Sequence, residues 1–153
     1  MNILFLANNL NSFYGGAEKN LEQFLTYFKD YRYVFLGKNT VFGEIFKKNG
    51  QKAILSSGGF EPATKRNILL IPLTIVMQIW QLFRYFSIFK STNLIIHHSP
   101  SYTEFILLLP VLITFLKKPV LFIAHGYSYP DIKKFVILKP FVKYCLKHSN
   151  THT

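Results

Sequence analysis

MNILFLANNLNSFYGGAEKNLEQFL, residues 1–25, holds an apolar run, a Gly-Gly pair and the start of a helical pattern, and its reading decides the rest of the chain. Ile3, Leu4, Phe5 and Leu6 are continuously apolar, as strands of parallel sheets covered on both faces tend to be, so Asn2 to Ala7 reads as a buried strand. Beyond Gly16, the residues Leu21, Phe24, Leu25 and Phe28 recur at helical spacing and form one apolar stripe, with Glu18, Lys19, Glu22 and Gln23 outside it. The order is strand, glycine loop, helix. Such a junction presents unpaired backbone N–H groups and the positive end of a helix dipole, and a residue without Cβ lets an anion come close to both. A turn that requires a positive φ angle would also select glycine, so two readings of Gly15-Gly16 stand. The pair lacks the G-x-G-x-x-G spacing of a dinucleotide fingerprint, which weakens any NAD reading.

Working outward, Tyr33 to Leu36 reads as a short strand, Val41 to Asn49 as a helix ended by Gly50, and Lys52 to Ser56 as a third strand. A loop from Pro62 to Asn67 leads into a long helix from about Ile68 to Phe89. Asn93 to His97 is strand-like, Tyr102 to Leu116 helical, and Val120 to Ala124 a fifth strand, with a last helical region opening at Asp131. The alternation predicts an α/β fold, a parallel sheet wrapped by helices with right-handed crossovers. The first, fourth and fifth strands are expected in the sheet interior. No internal repeat, low-complexity tract or interdomain linker interrupts the pattern.

A chain of 153 residues suffices for one domain with a real core. Half of its residues are hydrophobic and 17% aromatic, which excludes disorder on composition. The single cysteine, Cys145, rules out an intramolecular disulfide and fits a reducing compartment. A net charge of +11 predicts attraction to anionic partners: a membrane surface, nucleic acid or phosphorylated substrates. Between Lys139 and Lys147 the cations alternate with Phe141, Val142, Tyr144 and Leu146, a pattern shared by basic membrane-surface helices and by solvated helices of basic proteins. No recognisable nucleic-acid motif organises the basic residues, so nucleic acid is not an expected partner.

The oily stretch from Ile68 to Phe89 is interrupted by Arg84 and falls short of the roughly 20 apolar residues of a membrane span. Its Thr74, Gln78, Gln81 and Arg84 fall within one arc of about 120°, which predicts a one-sided helix rather than a lipid-exposed one. Phe105 to Leu116 is shorter and contains Pro110, so it reads as a core helix. The first nine residues carry neither a basic n-region nor a cleavage site, and no secretory signal is expected.

In open α/β sheets, ligands bind beyond the carboxyl ends of the strands. The first strand ends in Ala7-Asn8-Asn9 and then Gly15-Gly16, the fourth in His97-His98-Ser99, and the fifth in His125-Gly126-Tyr127-Ser128. A lone histidine at a strand end is more often a hydrogen-bonded structural residue than a catalyst, but three such endings on one rim favour a phosphate-rich or sugar ligand. Metal binding is the weaker reading, because adjacent His97 and His98 point to opposite faces and no nearby Asp, Glu or Cys completes a site.

Four pieces in order resemble the N-terminal half of family-4 retaining glycosyltransferases of the GT-B fold: the start with its Gly-Gly-Ala-Glu turn, the strand NLIIHHSP, the strand KPVLFIAHG, and the basic aromatic helix after it. The resemblance covers nearly the whole chain and implies a single Rossmann-like, acceptor-side domain. It implies that Gly15 and Gly16 approach the diphosphate of a nucleotide-sugar through backbone N–H groups, with Glu18, His98, Ser99 and Gly126 in the same substrate-binding set. It gives His125 the catalytic position beside the transferring sugar. Many members have Asp where this chain has Gly126, and the family's His-x-His segment is here His97-His98-Ser99. No resident cofactor or metal is implied, since the nucleotide-sugar is a substrate.

Family members carry a second domain that binds the nucleotide and supplies an E-x7-E motif, which these 153 residues do not contain. The expectation is therefore a fragment, a truncated product or one half of a two-chain enzyme, which alone should catalyse poorly or not at all. The implied partners are a nucleotide-sugar, a cell-surface glycan or lipid-linked acceptor, an anionic membrane surface and a separate donor-domain chain. The implied location is cytoplasmic, at the inner face of the cell membrane, in lipopolysaccharide or capsule biosynthesis. The alternative is a non-catalytic membrane-associated partner that binds phosphate-bearing lipid or a complementary chain.

Overall fold

Continuous apolar character drives the central strands into the middle of a five-stranded sheet. In a computed structural model that describes residues 1–7, 16–56, 71–98, 102–123 and 139–149, the strands are β1 (Asn2–Ala7), β2 (Arg32–Gly37), β3 (Lys52–Leu55), β4 (Leu94–His98) and β5 (Val120–Ile123). They pair in the order β3-β2-β1-β4-β5, all parallel, with Phe5 opposite Phe35 on one side of β1 and Ile96 on the other. This is the expected α/β architecture. β1 and β4 are interior, but β5 is an edge strand, parallel and half-buried, rather than the interior strand expected from its apolar run. Four apolar residues in a row mark burial without saying whether a further strand lies alongside.

Alternation along the strands divides the core. One face carries Ile3, Phe5, Tyr33, Phe35 and Ile96 and is covered by α1 (Gly16–Tyr27) and α2 (Thr40–Lys48) through Leu21, Leu25, Phe42 and Phe46. Asn39 caps α2 by accepting the Phe42 N–H at 3.0 Å, and Gly50 ends the following turn at a φ of +69°, which glycine adopts without strain. Phe28 was expected on the α1 stripe, but the helix ends before it and its ring is exposed.

The opposite face carries Leu4, Leu6, Leu36, Ile95 and Val120, covered by α3 (Ile71–Arg84), α4 (Phe86–Ser91), α5 (Leu108–Pro110) and α6 (Lys139–His148). The single long helix expected here breaks at Tyr85 into α3 and α4. The helix expected over 102–116 is a succession of a 3-10 turn (Tyr102–Phe105), α5 and a π turn (Val111–Phe115). Pro110, which has no N–H to donate, sits at the junction where the ladder changes.

α3 is one-sided as expected, but its two glutamines face inward. Gln78 and Gln81 are each 2% exposed, whereas Phe83 is 79% exposed. Gln81 donates to the Ser56 hydroxyl at 2.9 Å, and the Gln78 side-chain oxygen accepts the Leu108 N–H at 3.2 Å. These bonds tie α3 to the end of β3 and to the irregular turn before α5. A backbone N–H freed by that turn needs a partner once buried, and glutamine supplies it.

Cys145 lies at the centre of the second core, and burial pushes its thiol up to about 11 from an ordinary 9.0. The neutral thiol is the form the fold favours, so its contribution is intact below pH 9 and lost as pH rises towards 11. Denaturant unfolding from pH 8 to 11 should show a steeper alkaline loss for the natural chain than for Cys145→Ala, the variant being weaker but flatter.

Candidate functional site

The carboxyl ends of β1, β2 and β3 are drawn together at one rim. Lys38 N–H donates to the Ala7 carbonyl at 3.0 Å, and Ser56 N–H to the Gly37 carbonyl at 2.8 Å. A Cβ at Gly37 would lie 2.6 Å from the Ala7 carbonyl carbon and closer still to its oxygen. Only glycine fits there. Asn39, next along the chain, uses its side-chain oxygen on the α2 cap, and its buried Nδ2 has no partner among the described residues. Sequence reading missed both positions; Asn39 ahead of an apolar-periodic run was the available signal.

α1 rises from the same rim with Gly16 as its first residue. A Cβ built on Gly16 meets nothing within 4 Å, and its φ is not in the left-handed region. Backbone strain does not require glycine there, nor does any described neighbour, so the positive-φ reading does not hold for Gly16. What glycine leaves is bare backbone at the positive end of a 12-residue helix.

Glu18, read as outside the apolar stripe, is 2% exposed. It stands three and seven residues before Leu21 and Leu25, both buried, so the inward stripe of α1 reaches the rim as a carboxylate in the first helical turn, where the dipole favours negative charge. The spacing was legible in the sequence, although carboxylates are rarely buried.

The two β4 histidines part to opposite faces, as strand geometry demands. His98 is buried on the α1 and α2 face, edge-on to Phe42 at 4.9 Å between ring centroids and stacked over Phe5 at 6.2 Å. His97 is buried on the other face, its Nε2 3.3 Å from the Glu104 carboxylate of the 3-10 turn. His97 Nδ1 has no partner among the described residues. Glu104 had not been singled out from the sequence; it pins the turn that follows β4. Gly15, Ser99, Ala124, His125 and Gly126, together with Asn8-Asn9 and residues 131–138 of the last helical region, lie outside the described residues. The structure thus brings Gly16, Glu18 and His98 to one face of the sheet near its carboxyl edge.

At the opposite, amino edge there is an open cleft of about 580 Å³ whose lining includes Asn2, Arg32, Gln51 and Lys52. Among the described residues, no group of three or more His, Cys, Asp or Glu is placed to hold a metal ion.

No family model matches the chain, and no curated protein matches it. Solved structures do. The chain is similar to the glycotransferase of kitacinnamycin, with a TM-score of 0.59 and 11% identity over 94% of this chain. It is also similar to the glycosyltransferase SnogD from Streptomyces nogalater, with a TM-score of 0.54 and 16% identity over 97% of this chain. The match spans 34% and 41% of those two chains. The fold is glycosyltransferase-like, and this chain spans well under half the length of those two molecules.

Proposed function

We propose that the chain is the acceptor-side domain of a GT-B glycosyltransferase, which moves a sugar from a nucleotide-sugar to a cell-surface glycan or lipid-linked acceptor. The observation that carries this reading is the uncrowded Gly16 at the first turn of α1. Among the described residues nothing crowds that position, and a ligand that must approach backbone N–H groups favours a residue without Cβ there. The glycosyltransferase-like fold supports the same reading.

In the transfer, the bond between the anomeric carbon and the donor diphosphate breaks, and the acceptor oxygen bonds to that carbon. The acceptor hydroxyl gives its proton to an oxygen of the departing diphosphate, and the nucleoside diphosphate leaves. The N-terminal amides of α1 stabilise the charge that builds on the leaving diphosphate, a role that needs no protein nucleophile. His125, Gly126 and Ser99 join this reading by resemblance alone, since they follow β5 and β4 in the sequence and lie outside the described residues. Retention at the anomeric carbon, by resemblance to family 4, and a donor domain on a separate segment or chain complete the reading.

Gly16→Val is the direct test. With nothing within 4 Å of the new Cβ, the fold should lose no more than about 1 kcal/mol. A β-branched side chain beside the amides should weaken nucleoside diphosphate binding about tenfold or more. Unchanged affinity by calorimetry in the folded variant would leave Gly16 with no ligand role.

A second expectation concerns His125→Ala. In any assembly competent for transfer it should lower turnover by about tenfold, equivalent to about 1.4 kcal/mol of transition-state stabilisation, while the melting temperature stays within a few degrees. Single-turnover rates and thermal melts on the same variant check it. A large loss of stability with normal chemistry in the folded fraction would make His125 structural.

A further inference from the structure

α3 turns its apolar side to water. At about 100° per residue, Leu73, Val76, Ile79, Trp80 and Phe83 share one arc of roughly 120°, and all five are exposed, Val76 at 60% and Phe83 at 79%. The polar residues that an ordinary surface helix would present outward are occupied inside, Gln81 on Ser56 and Gln78 on Leu108. The inversion is therefore fixed by buried hydrogen bonds, and the helix cannot roll to hide its apolar arc without breaking them. A continuous apolar surface of this kind marks a binding face.

Charge selects the occupant. From Pro62 to Thr103 the sequence contains Lys65, Arg66, Arg84 and Lys90 and no carboxylate. On the sheet face that α3 covers, the described helices and turns add Lys117, Lys118, Lys139, Lys143 and Lys147, and their one carboxylate, Glu104, is buried against His97. The described carboxylates Glu18, Glu22, Asp30 and Glu44 belong to α1, α2 and the turn after α1, on the other side of the sheet. At the end of the arc, the Arg84 guanidinium lies 5.4 Å from the Trp80 ring and 5.9 Å from the Tyr85 ring. Cation, indole and phenol together suit the headgroup level of a bilayer, where one end of each group is apolar and the other wet. The arc offers one hydrogen-bonding side-chain group, the Trp80 indole N–H, whereas protein interfaces carry about one hydrogen bond per 100–200 Å².

We propose that α3 lies in the surface of an anionic lipid bilayer, its apolar arc in the acyl boundary and Arg84 and Lys90 at the phosphates. This goes beyond the sugar-transfer reading and stands or falls separately from it. The sequence also suggested a membrane contact for 139–147, where α6 turns Val142 and Cys145 into the core and leaves Phe141 and Tyr144 exposed. No described helix is long and apolar enough to cross a membrane, so the contact is one of lying on the surface.

Trp80 is the chain's single tryptophan, and its emission reports on this face alone. With vesicles of phosphatidylcholine and phosphatidylglycerol, Trp80 emission should shift to the blue and be quenched by lipids brominated on the acyl chains. Binding should fall about tenfold in high salt, and vesicles of phosphatidylcholine alone should bind weakly. The double variant Val76→Ser, Phe83→Ser changes exposed side chains, and should keep its circular dichroism and lose binding by tenfold or more. Three results would overturn the proposal. The first is vesicle binding without bromine quenching of Trp80. The second is a blue shift that grows with protein concentration in the absence of lipid, with a dimer in sedimentation. The third is no binding to anionic vesicles at all.

Discussion

Gly37→Ala is expected to cost the fold about 3 kcal/mol, at the upper end of what overpacking a well-ordered interior does. The alanine methyl would fall on the Ala7 carbonyl, which already accepts the Lys38 N–H and is held in register by the pairing of Ala7 with Gly37. Backbone, unlike a side-chain tip, cannot swing aside, so β1 and β2 must separate at their carboxyl ends. Those ends carry the rim from which Asn39 and α2 follow, so loss of stability should come with loss of any ligand affinity there. Chemical denaturation of the variant checks the first part. A variant within 0.5 kcal/mol of the natural chain would mean that the two strand ends do not approach as described.

Glu104→Ala should be comparably damaging, about 3 kcal/mol, because it leaves the His97 ring buried without its one described polar partner. Glu104→Gln keeps an oxygen that accepts from His97 Nε2 and should cost about 1 kcal/mol. The contrast between the two variants is the readout. Equal losses would show that the side chain's volume matters in that core and its hydrogen bond does not.

Much of this fold could be read before any coordinates. The run Ile3 to Leu6 announced a buried strand, and the switch from continuous to helical periodicity after Gly16 announced the crossover; in the structure, β1 is the central strand of five. Adjacent histidines on a strand had to part, and they do. Other features were beyond sequence, for identifiable reasons. Periodicity gives the width of an apolar arc and not which way it faces, so α3 was legible as one-sided while its inversion was not. That sign is set by two hydrogen bonds to Ser56 and Leu108, partners 25 and 30 residues away. Gly37 looks like any glycine at a strand end until the neighbouring strand is in place. Glu18 is no part of an apolar stripe, yet its spacing from Leu21 and Leu25 puts it on the buried side of α1. Of the candidate site, the glycine that opens α1 was legible, and so was Asn39 as a cap ahead of an apolar-periodic run; the pairing of Glu104 with His97 emerged only from tertiary contact.

The central claim, that the carboxyl rim around Gly16 receives the diphosphate of a nucleotide-sugar, is tested most directly by titrating the isotope-labelled chain with nucleoside diphosphates and following each backbone amide by NMR. The account predicts saturable shifts that are largest at Gly16 and Glu18 and extend to Lys38 and Asn39, while Arg32, Gln51 and Lys52 at the amino-edge cleft stay still. Shifts confined to that cleft, or none at the rim at millimolar ligand, would contradict it.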